Sequence, residues 1–341
     1  MPFHGLHATR GVSGRASRSR SAVKILITGG AGFIGSHLAE HLAEGGDSIT
    51  CLDNYRTGRN LVRHPRIAYQ EGDVRNVDAV TAMVRMTDVV YHLAAAVGVR
   101  YCIECPDYAF ETNVVGAHNV LQACLRHRKE FVYISSSAVY GKTRRSRVSE
   151  DADVTYGSVC REEWFYSHYK GTIDGLLCWY GRCGKAVKIL RVFNCIGSRQ
   201  SGAYGMVVPR FVGWARRDRP IQVYGDGQQT RTFADVRDVV RGIALVQRSG
   251  HCGEPYNLGG TEEIRIIDLA RRIRKMLRSR SRIVCVPYEE AFVRGFEETR
   301  RRRPNIAKIR SLGFVPRWCT DQTLEWIVGD GHLRLQDRQS S

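Results

Sequence analysis

The fold of this chain is decided by the stretch VKILITGGAGFIGSHL, which occupies residues 23–38. Its first five residues predict a β-strand, the glycines that follow predict a tight turn, and the remainder predicts a helix that begins near Phe33. Glycines let the backbone come close to a ligand, and the free N–H groups of a helix N-terminus attract phosphate. The sequence therefore predicts a site for a dinucleotide pyrophosphate, with contacts from Gly29, Gly32, Phe33, Ile34 and Gly35.

An acidic residue follows at the end of the second predicted strand, Ser48–Leu52. Asp53 has the spacing of a carboxylate that binds the hydroxyls of the adenosine ribose. Because a carboxylate repels a 2′-phosphate, this residue predicts NAD rather than NADP as the cofactor. Arg56 and Arg59 lie close behind it and keep NADP as the alternative.

The composition is that of an ordinary folded protein with an unusual charge. The 341 residues are 43% hydrophobic, and the formal net charge is +18. Such a charge predicts attraction to anions such as nucleotides, sugar phosphates or nucleic acid. Much of it is local, because residues 1–22, 271–282 and 300–303 are rich in arginine. We expect residues 1–22 to be a flexible basic tail, with a start codon placed too early or a transit peptide as the alternatives.

No apolar run is long enough to span a bilayer, and no secretory signal precedes the eleven scattered cysteines. These features predict a cytoplasmic protein with reduced thiols and no membrane partner. Cys102 and Cys105 form a CxxC pair. Because no second pair follows, we expect no metal site.

Strand and helix signals alternate from residue 23 to about residue 190. This alternation predicts the α/β class, with right-handed βαβ units and a doubly wound parallel sheet of Rossmann type. After Asn194 the predicted elements become shorter and more mixed. We therefore expect a Rossmann domain of residues 23–193 plus about 234–259, a smaller α/β domain of residues 194–233 plus 260–330, and a tail of residues 331–341.

The candidate catalytic residues are Tyr166 and Lys170, which are four apart in a predicted helix, Glu162–Tyr180. At this spacing both side chains lie on one helical face. An ammonium group near a phenol favours the phenolate and lowers the tyrosine pKa, so the pair could exchange a proton with a substrate hydroxyl. The preceding predicted strand ends in ISSS, residues 134–137, and one of these serines could complete a Ser–Tyr–Lys group.

Taken together, these motifs resemble the extended short-chain dehydrogenase/reductase family, the NAD-dependent nucleotide-sugar epimerases and dehydratases. The resemblance covers about residues 23–328 and includes the segments TGGAGFIGSHL, LDNYRTGRN, YHLAAAVGVR, ETNVVGAHNVL, SSSAVYG, RVFNCIG and YGDGQQTRTFADVRDV. It implies that a bound NAD takes a hydride from a sugar carbon, usually C4, while the tyrosine removes the hydroxyl proton. The ketone that results is reduced again, in some members after loss of water or carbon dioxide.

The resemblance also implies roles for individual residues. Ser136 falls at the position of the family's catalytic serine or threonine and would act with Tyr166 and Lys170, which would also contact the cofactor. Further cofactor contacts are implied for Asp53, Asn54, Asp73, Val74, Leu93, Ala94, Ala95 and Asn113. Contacts with the nucleotide-sugar substrate are implied for Ser137, Asn194, Arg231 and Arg302, with the two arginines clamping the diphosphate.

One departure from the family bears on the reaction. Dehydratases and decarboxylases of this family commonly carry a glutamate just before the VYG triplet, where this chain has Ala138. Loss of water needs an acid and a base near the reacting atoms, and alanine can be neither. Epimerisation is the simplest chemistry left, although Glu162, Glu163 and His168 flank the tyrosine and could transfer protons instead.

We therefore expect a nucleotide-sugar epimerase that inverts C4 through a transient 4-keto intermediate. The alternatives are a decarboxylase or 4,6-dehydratase of the same family, an epimerase acting at another carbon, and a non-catalytic protein that binds through its basic surface. The nucleotide and the sugar stay open. The resemblance also implies a homodimer formed through a helical bundle, with the predicted helices Tyr108–Arg126 and Glu162–Tyr180 as candidate faces, and we expect no nucleic-acid partner.

Overall fold

The computed structural model describes residues 21–143, 145, 147–202, 205–291 and 299–329. The predicted tails, residues 1–22 and 331–341, lie almost entirely outside the described residues. The strands are β1 Lys24–Thr28, β2 Ser48–Asp53, β3 Ile67–Glu71, β4 Val89–His92, β5 Glu130–Ser136, β6 Val187–Val192, β7 Cys195–Ile196, β8 Ile221–Tyr224, β9 Thr230–Thr232, β10 Ala234–Asp235, β11 Pro255–Leu258, β12 Glu263–Arg265, β13 Ile283–Val286 and β14 Arg301–Arg302.

Twelve α-helices lie in the described ranges: α1 Phe33–Glu44, α2 Val77–Arg85, α3 Val99–Glu104, α4 Pro106–Phe110, α5 Ala117–Arg126, α6 Phe165–Arg182, α7 Val207–Arg216, α8 Val236–Ser249, α9 Ile266–Met276, α10 Tyr288–Ala291, α11 Ala307–Ser311 and α12 Thr320–Gly329. A π-helical turn, Glu111–Gly116, joins α4 to α5, and 3₁₀ turns cover Ser137–Tyr140 and Glu162–Trp164. Within the same ranges, no helix combines the length and the apolar character that a bilayer span requires.

Seven strands form the main sheet in the order β11-β6-β5-β4-β1-β2-β3, and every neighbouring pair is parallel. The central strand β1 pairs on both sides, with Leu26 opposite Thr50 of β2 and Val90 of β4. The strand order reverses between β1 and β4, as in other doubly wound sheets. The predicted α/β class and parallel sheet are confirmed.

Both faces of this sheet are covered by helices because β1 is apolar on both sides. Ile25 and Ile27 are buried in a core that also holds residues of α1 and α8. Leu26 points to the opposite face, where it is buried with residues of α2, α5 and α6. A strand with alternate side chains in two separate cores is typical of a parallel sheet between two helical layers.

The remaining strands form three small sheets, in the orders β10-β7, β12-β9-β14 and β13-β8. They share a third core with residues of α7, α9 and α12. In the main sheet the parallel strands end at one edge, which is where such sheets bind ligands. That edge brings together Thr28, Asp53, His92, Ser136 and Val192, the last residues of β1, β2, β4, β5 and β6.

Candidate active site

The turn between β1 and α1 is built so that only glycine fits at its key positions. Gly29 has a φ of +73°, and a side chain there would lie 2.7 Å from the backbone nitrogen of Ala94. A side chain at Gly35 would collide with the carbonyl oxygen of Gly29. The first turn of α1 carries no acidic residue, and its N-cap, Gly32, offers no side-chain hydrogen bond. The N–H groups of Gly29, Ala31 and Gly32 are bonded within the protein, so it is the first turn of α1 that offers N–H groups to a ligand and fits a dinucleotide pyrophosphate.

Asp53 ties the glycine-rich turn to the end of β2. Its Oδ2 accepts a hydrogen bond from the Ala31 N–H at 2.9 Å, and its Oδ1 accepts one from the Tyr55 N–H at 2.9 Å. Burial raises the pKa of this carboxyl, while the two backbone donors lower it. The carboxylate is thus held beside the turn, which is the position that the ribose-binding prediction requires.

The other predicted cofactor residues form two hydrogen-bonded groups at the same edge. In one, the Asn54 amide donates to Asp73 Oδ2 at 2.9 Å and to the Tyr108 hydroxyl at 3.0 Å. In the other, the amide of Asn113 holds the backbone of Ala96, with both hydrogen bonds 3.0 Å long. The second group anchors the loop that starts with Leu93, Ala94 and Ala95. Whether each residue contacts the cofactor stays a prediction.

The structure brings Ser136 and Tyr166 together. The Ser136 side chain acts on the phenol and lowers its pKa, and the Ser136 hydroxyl accepts the N–H of Ala138 at 3.1 Å. Tyr166 packs against the cluster of Ala96, Cys102 and Ala109. Burial raises the pKa of Tyr166 well above its usual value, and the effect of Ser136 only partly offsets this rise. Our expectation that Lys170 lowers this pKa is therefore wrong for the protein alone, because the loss of water around the phenol dominates.

Lys170 lies one helical turn further along α6 and is buried. Its Nζ donates to the carbonyl oxygen of Ile134 at 2.8 Å and lies 4.6 Å from the centre of the Tyr133 ring. Burial lowers the pKa of this lysine to about 8, although Asp174 opposes the shift. Lys170 is therefore still mostly protonated at pH 7, but its pKa lies only about one unit higher.

Arg231 and Arg302 form the second part of the site. They are register partners on the parallel strands β9 and β14, so two guanidinium groups lie side by side. Burial lowers the pKa of each to about 10, and the charge of Arg302 lowers that of Arg231 further. Arg231 Nη1 donates to Thr230 O at 2.8 Å, and Arg302 Nη2 donates to Thr299 Oγ1 at 3.1 Å. Two partly buried guanidinium groups side by side fit a diphosphate.

The strand register also separates Arg302 from its arginine neighbours. Arg301 points away and binds Glu263 through both Nε and Nη2, at 2.6 and 2.7 Å. Arg300 pairs with Asp226 at 2.9 Å. Arg302 Nε is buried and has no hydrogen-bond partner in the described part of the chain.

The other residues predicted to contact the substrate are Asn194 and Ser137. Asn194 follows β6, and its amide donates to Thr232 O at 3.0 Å. Ser137 is buried in a 3₁₀ turn. Their contacts with substrate stay predictions.

Three residues that flank Tyr166 were expected as possible proton donors. Glu162 is exposed, Glu163 has a buried Oε1, and His168 packs edge-on against a tyrosine ring. Burial lowers the pKa of this histidine.

Sequence reasoning missed a buried ion pair beneath the candidate catalytic residues. Asp174 Oδ2 accepts a hydrogen bond from Arg191 Nε at 2.8 Å, and both side chains are nearly inaccessible to solvent. Asp174 is four residues beyond Lys170, so the helical spacing that paired Tyr166 with Lys170 could also have found it. Among the described residues, no cluster of His, Cys, Asp or Glu side chains could hold a metal ion.

Comparisons with known proteins agree with this geometry. A family model described as the NAD dependent epimerase/dehydratase family matches residues 25–259. The chain is 36% identical over 313 residues to a UDP-N-acetyl-alpha-D-glucosaminuronate decarboxylase of Bacillus cytotoxicus, which covers 89% of this chain and 97% of the relative. It is 32% identical over 322 residues to UDP-glucuronic acid decarboxylase 4 of Arabidopsis thaliana, which covers 93% of this chain and 70% of the relative.

Solved structures give the same picture. The UDP-glucose 4-epimerase of Thermus thermophilus in complex with NAD superimposes with a TM-score of 0.80 at 27% identity, covering 91% of this chain and 99% of that one. These likenesses confirm the expectation of NAD as the cofactor. The glycine-rich turn, the open N-terminus of α1 and Asp53 are the residues that would hold it.

Proposed function

Because the chain belongs to the NAD-dependent epimerase/dehydratase family, as its motifs predicted, we propose that it decarboxylates a uronic sugar carried on a nucleoside diphosphate. The observation that carries this proposal is the 36% identity to a UDP-N-acetyl-alpha-D-glucosaminuronate decarboxylase, since it extends over 97% of that relative. A second decarboxylase, which acts on UDP-glucuronic acid, matches over 93% of this chain. The proposal places decarboxylation ahead of the epimerisation that the sequence favoured.

The site has the groups that such a reaction needs. NAD, when bound, supplies the hydride chemistry at C4 of the sugar. Tyr166 would take the proton from the C4 hydroxyl, with Ser136 sharing a hydrogen bond with the same oxygen. Arg231 and Arg302 would bind the diphosphate and fix the sugar in one position.

The bond changes of decarboxylation do not require an acidic or basic side chain at Ala138. In a 4-keto uronic sugar the carboxylate on C5 is β to the ketone. The C5–C6 bond breaks, carbon dioxide leaves, and the electron pair passes into an enolate with its oxygen on C4. Tyr166 would donate a proton to this oxygen. C5 would then gain a proton from water while the enol proton returns to Tyr166, and the C4 ketone so restored would take back the hydride and a proton from Tyr166. No base has to remove a proton from carbon, whereas dehydration would need one.

Epimerisation at C4 is the second candidate. It is supported by the likeness to a UDP-glucose 4-epimerase and by Ala138, which removes the acid that dehydration would use. The same Ser136, Tyr166 and Lys170 would serve it. The two reactions differ in product mass, since an epimer keeps its mass and a decarboxylated sugar loses carbon dioxide.

The experiment is to incubate the purified protein with UDP-N-acetylglucosaminuronate, UDP-glucuronate and UDP-glucose and to read the products by mass spectrometry and proton NMR. We expect loss of carbon dioxide from a uronate and no change of UDP-glucose. The Tyr166→Phe variant serves as the control for a contaminating enzyme. An isomer of unchanged mass from any of the three would overturn the decarboxylase proposal in favour of an epimerase.

We further propose a homodimer that pairs the segments of α4 to α5 with α6. Large apolar side chains are exposed there: Phe110 is 47% exposed, Val115 39% and Trp179 52%. Exposed apolar patches of this kind mark interfaces between proteins. Light scattering should give twice the mass of the chain, and a monomeric mass for the wild-type protein at micromolar concentration would contradict the proposal.

A further inference from the structure

Three ionisable residues follow one face of α6. Tyr166, Lys170 and Asp174 are spaced by four residues, so their side chains lie above one another. Lys170 is 2% exposed and Asp174 is 3% exposed. An ammonium group and a carboxylate are thus buried one helical turn apart, directly beneath the candidate catalytic phenol.

Asp174 has one oxygen committed and one open. Oδ2 accepts the hydrogen bond from Arg191 Nε, whereas Oδ1 is buried and has no hydrogen-bond partner within the described ranges. The side chain of Ser135 also acts on this carboxyl and lowers its pKa. Lys170 has three N–H donors, of which one is donated to Ile134 O. The ammonium group and the carboxylate are not in direct contact, so the open acceptor and the remaining donors can meet through one buried water.

The other groups around the lysine ammonium carry no negative charge at neutral pH. Burial lowers the pKa of His92 to about 3, raises that of Cys102 to about 12, and raises those of Tyr133 and Tyr166. Asp174 therefore provides the negative charge among the described groups that bear on this lysine. Burial raises the pKa of Asp174, but the guanidinium of Arg191 and the ammonium group both oppose that shift.

Arg191 is itself fixed, so it can hold Asp174 in place. Its Nη1 donates to the Tyr140 hydroxyl at 3.0 Å and to Glu150 O at 2.9 Å. The Tyr140 hydroxyl in turn donates to Asn257 Oδ1 at 2.6 Å. These hydrogen bonds fix the orientation of the Arg191 guanidinium. Because Arg191 binds Asp174 through Oδ2, the Oδ1 atom lies on the other side of the carboxylate.

We propose that Asp174 is a positioning residue, the buried counter-ion that keeps Lys170 protonated and in place while Tyr166 exchanges its proton with the sugar. The part of this proposal that concerns the proton exchange of Tyr166 with the sugar rests on the proposed function. The interaction between the two charges concerns the folded chain alone and can be measured without turnover.

The first test is a double-mutant cycle read by urea unfolding at pH 7. The variants are Asp174→Asn, Lys170→Met and the double variant. If the two side chains interact, the effects are not additive, and we expect a coupling of about tenfold in the unfolding equilibrium constant. The coupling should disappear when pH rises above 9, because Lys170 then loses its charge. Additive effects at pH 7 would overturn the proposal.

Tyr140→Phe is the matched control, since it removes a hydrogen bond from the same network without changing a charge. We expect it to lower stability and to show no coupling to Lys170→Met. If Tyr140→Phe couples as strongly as Asp174→Asn, the aspartate acts only through packing and the proposal fails. If Asp174→Asn does not fold, Asp174→Glu replaces it, with a weaker coupling expected because the carboxylate is displaced.

The second test is the pH profile of turnover. In Asp174→Asn, loss of the counter-ion should shift the alkaline limb of the kcat/KM profile to lower pH by about one unit. In Asp174→Glu, most of this shift should be absent. An unchanged limb would overturn the catalytic half of the proposal. If the wild-type protein turns over no nucleotide sugar, the proposed function fails, and the unfolding cycle still decides whether the ion pair exists.

Discussion

Replacing Arg302 by methionine should stabilise the protein and at the same time abolish tight nucleotide binding. Burial of the guanidinium lowers the pKa of this arginine to about 10. One pKa unit corresponds to about 1.4 kcal/mol, so holding the charge there costs at most about 3 kcal/mol. The residue as a whole is half-buried and keeps part of its solvation. We therefore expect Arg302→Met to gain roughly 1–2 kcal/mol in the free energy of unfolding.

The pH dependence of this gain has a definite sign. The folded-state pKa, about 10, lies below the unfolded value, so the unfolded chain binds more protons once the pH rises above about 10. The cost of the charge is therefore fully present at neutral pH and is relieved only as pH rises through 10. Urea unfolding at pH 7 measures the whole effect.

The affinity for UDP should change in the opposite direction. An arginine that binds phosphate through charged hydrogen bonds contributes roughly 2–3 kcal/mol, so Arg302→Met should weaken UDP binding by about 30- to 100-fold in calorimetry. Arg301→Met is the matched control, because that side chain is 48% exposed and already paired with Glu263. We expect it to leave UDP affinity unchanged. A destabilised Arg302→Met protein with wild-type UDP affinity would refute the reasoning.

Further predictions concern the phenol, the lysine and the backbone of the turn. Tyr166→Phe should lower kcat by about a thousandfold or more and leave UDP affinity unchanged, because the ring stays and the proton donor goes; retention of activity would mean that another residue exchanges the proton. Turnover should decline as pH rises through about 8, where Lys170 loses its proton, and a flat profile to pH 10 would contradict this. Gly35→Ala should weaken NAD binding by at least tenfold in calorimetry, since its side chain would collide with the turn. Gly175→Ala, on an exposed helix position with open space around it, should instead raise stability by roughly 0.5–1 kcal/mol.

The sequence predicted the start of the fold accurately because the signals there are local. The strand predicted from residues 23–27 is observed one residue later, as Lys24–Thr28. The helix predicted to begin near Phe33 begins at that residue. Apolar runs, glycines and an acid at a fixed spacing depend on neighbouring residues alone, and periodicity captures them.

The segment Tyr108–Arg126 shows what periodicity cannot capture. We expected one helix, whereas the chain forms α4, a π-helical turn and α5. The turn widens the helix by one residue and places Asn113 where its amide can hold Ala96. A widening of this kind depends on contacts with another part of the chain, and such turns are frequent at functional sites.

The choice among the arginines at residues 300–303 also required the third dimension. Four identical side chains in sequence carry no signal that separates them. Pairing β14 with β9 turns Arg302 towards Arg231 and turns Arg301 towards Glu263. The prediction of Arg302 therefore came from the family resemblance, and the strand register explains why this arginine, and not its neighbour, suits a diphosphate.

The raised pKa of Tyr166 changes how the candidate chemistry should be understood. A phenol with a lowered pKa would rest as phenolate and act first as a base. Burial instead raises the pKa of the phenol and keeps it protonated in the protein alone. A protonated phenol cannot take a second proton, so the Tyr166 hydroxyl must first lose its own proton, and the Lys170 ammonium would stabilise the phenolate that forms. The phenolate can then take a proton from the C4 hydroxyl, and the phenol can later return one to an enolate oxygen, as decarboxylation requires. The same loss of water strengthens the attraction between a transient phenolate and the Lys170 ammonium, so a charged lysine is needed most at the step where the phenol is ionised.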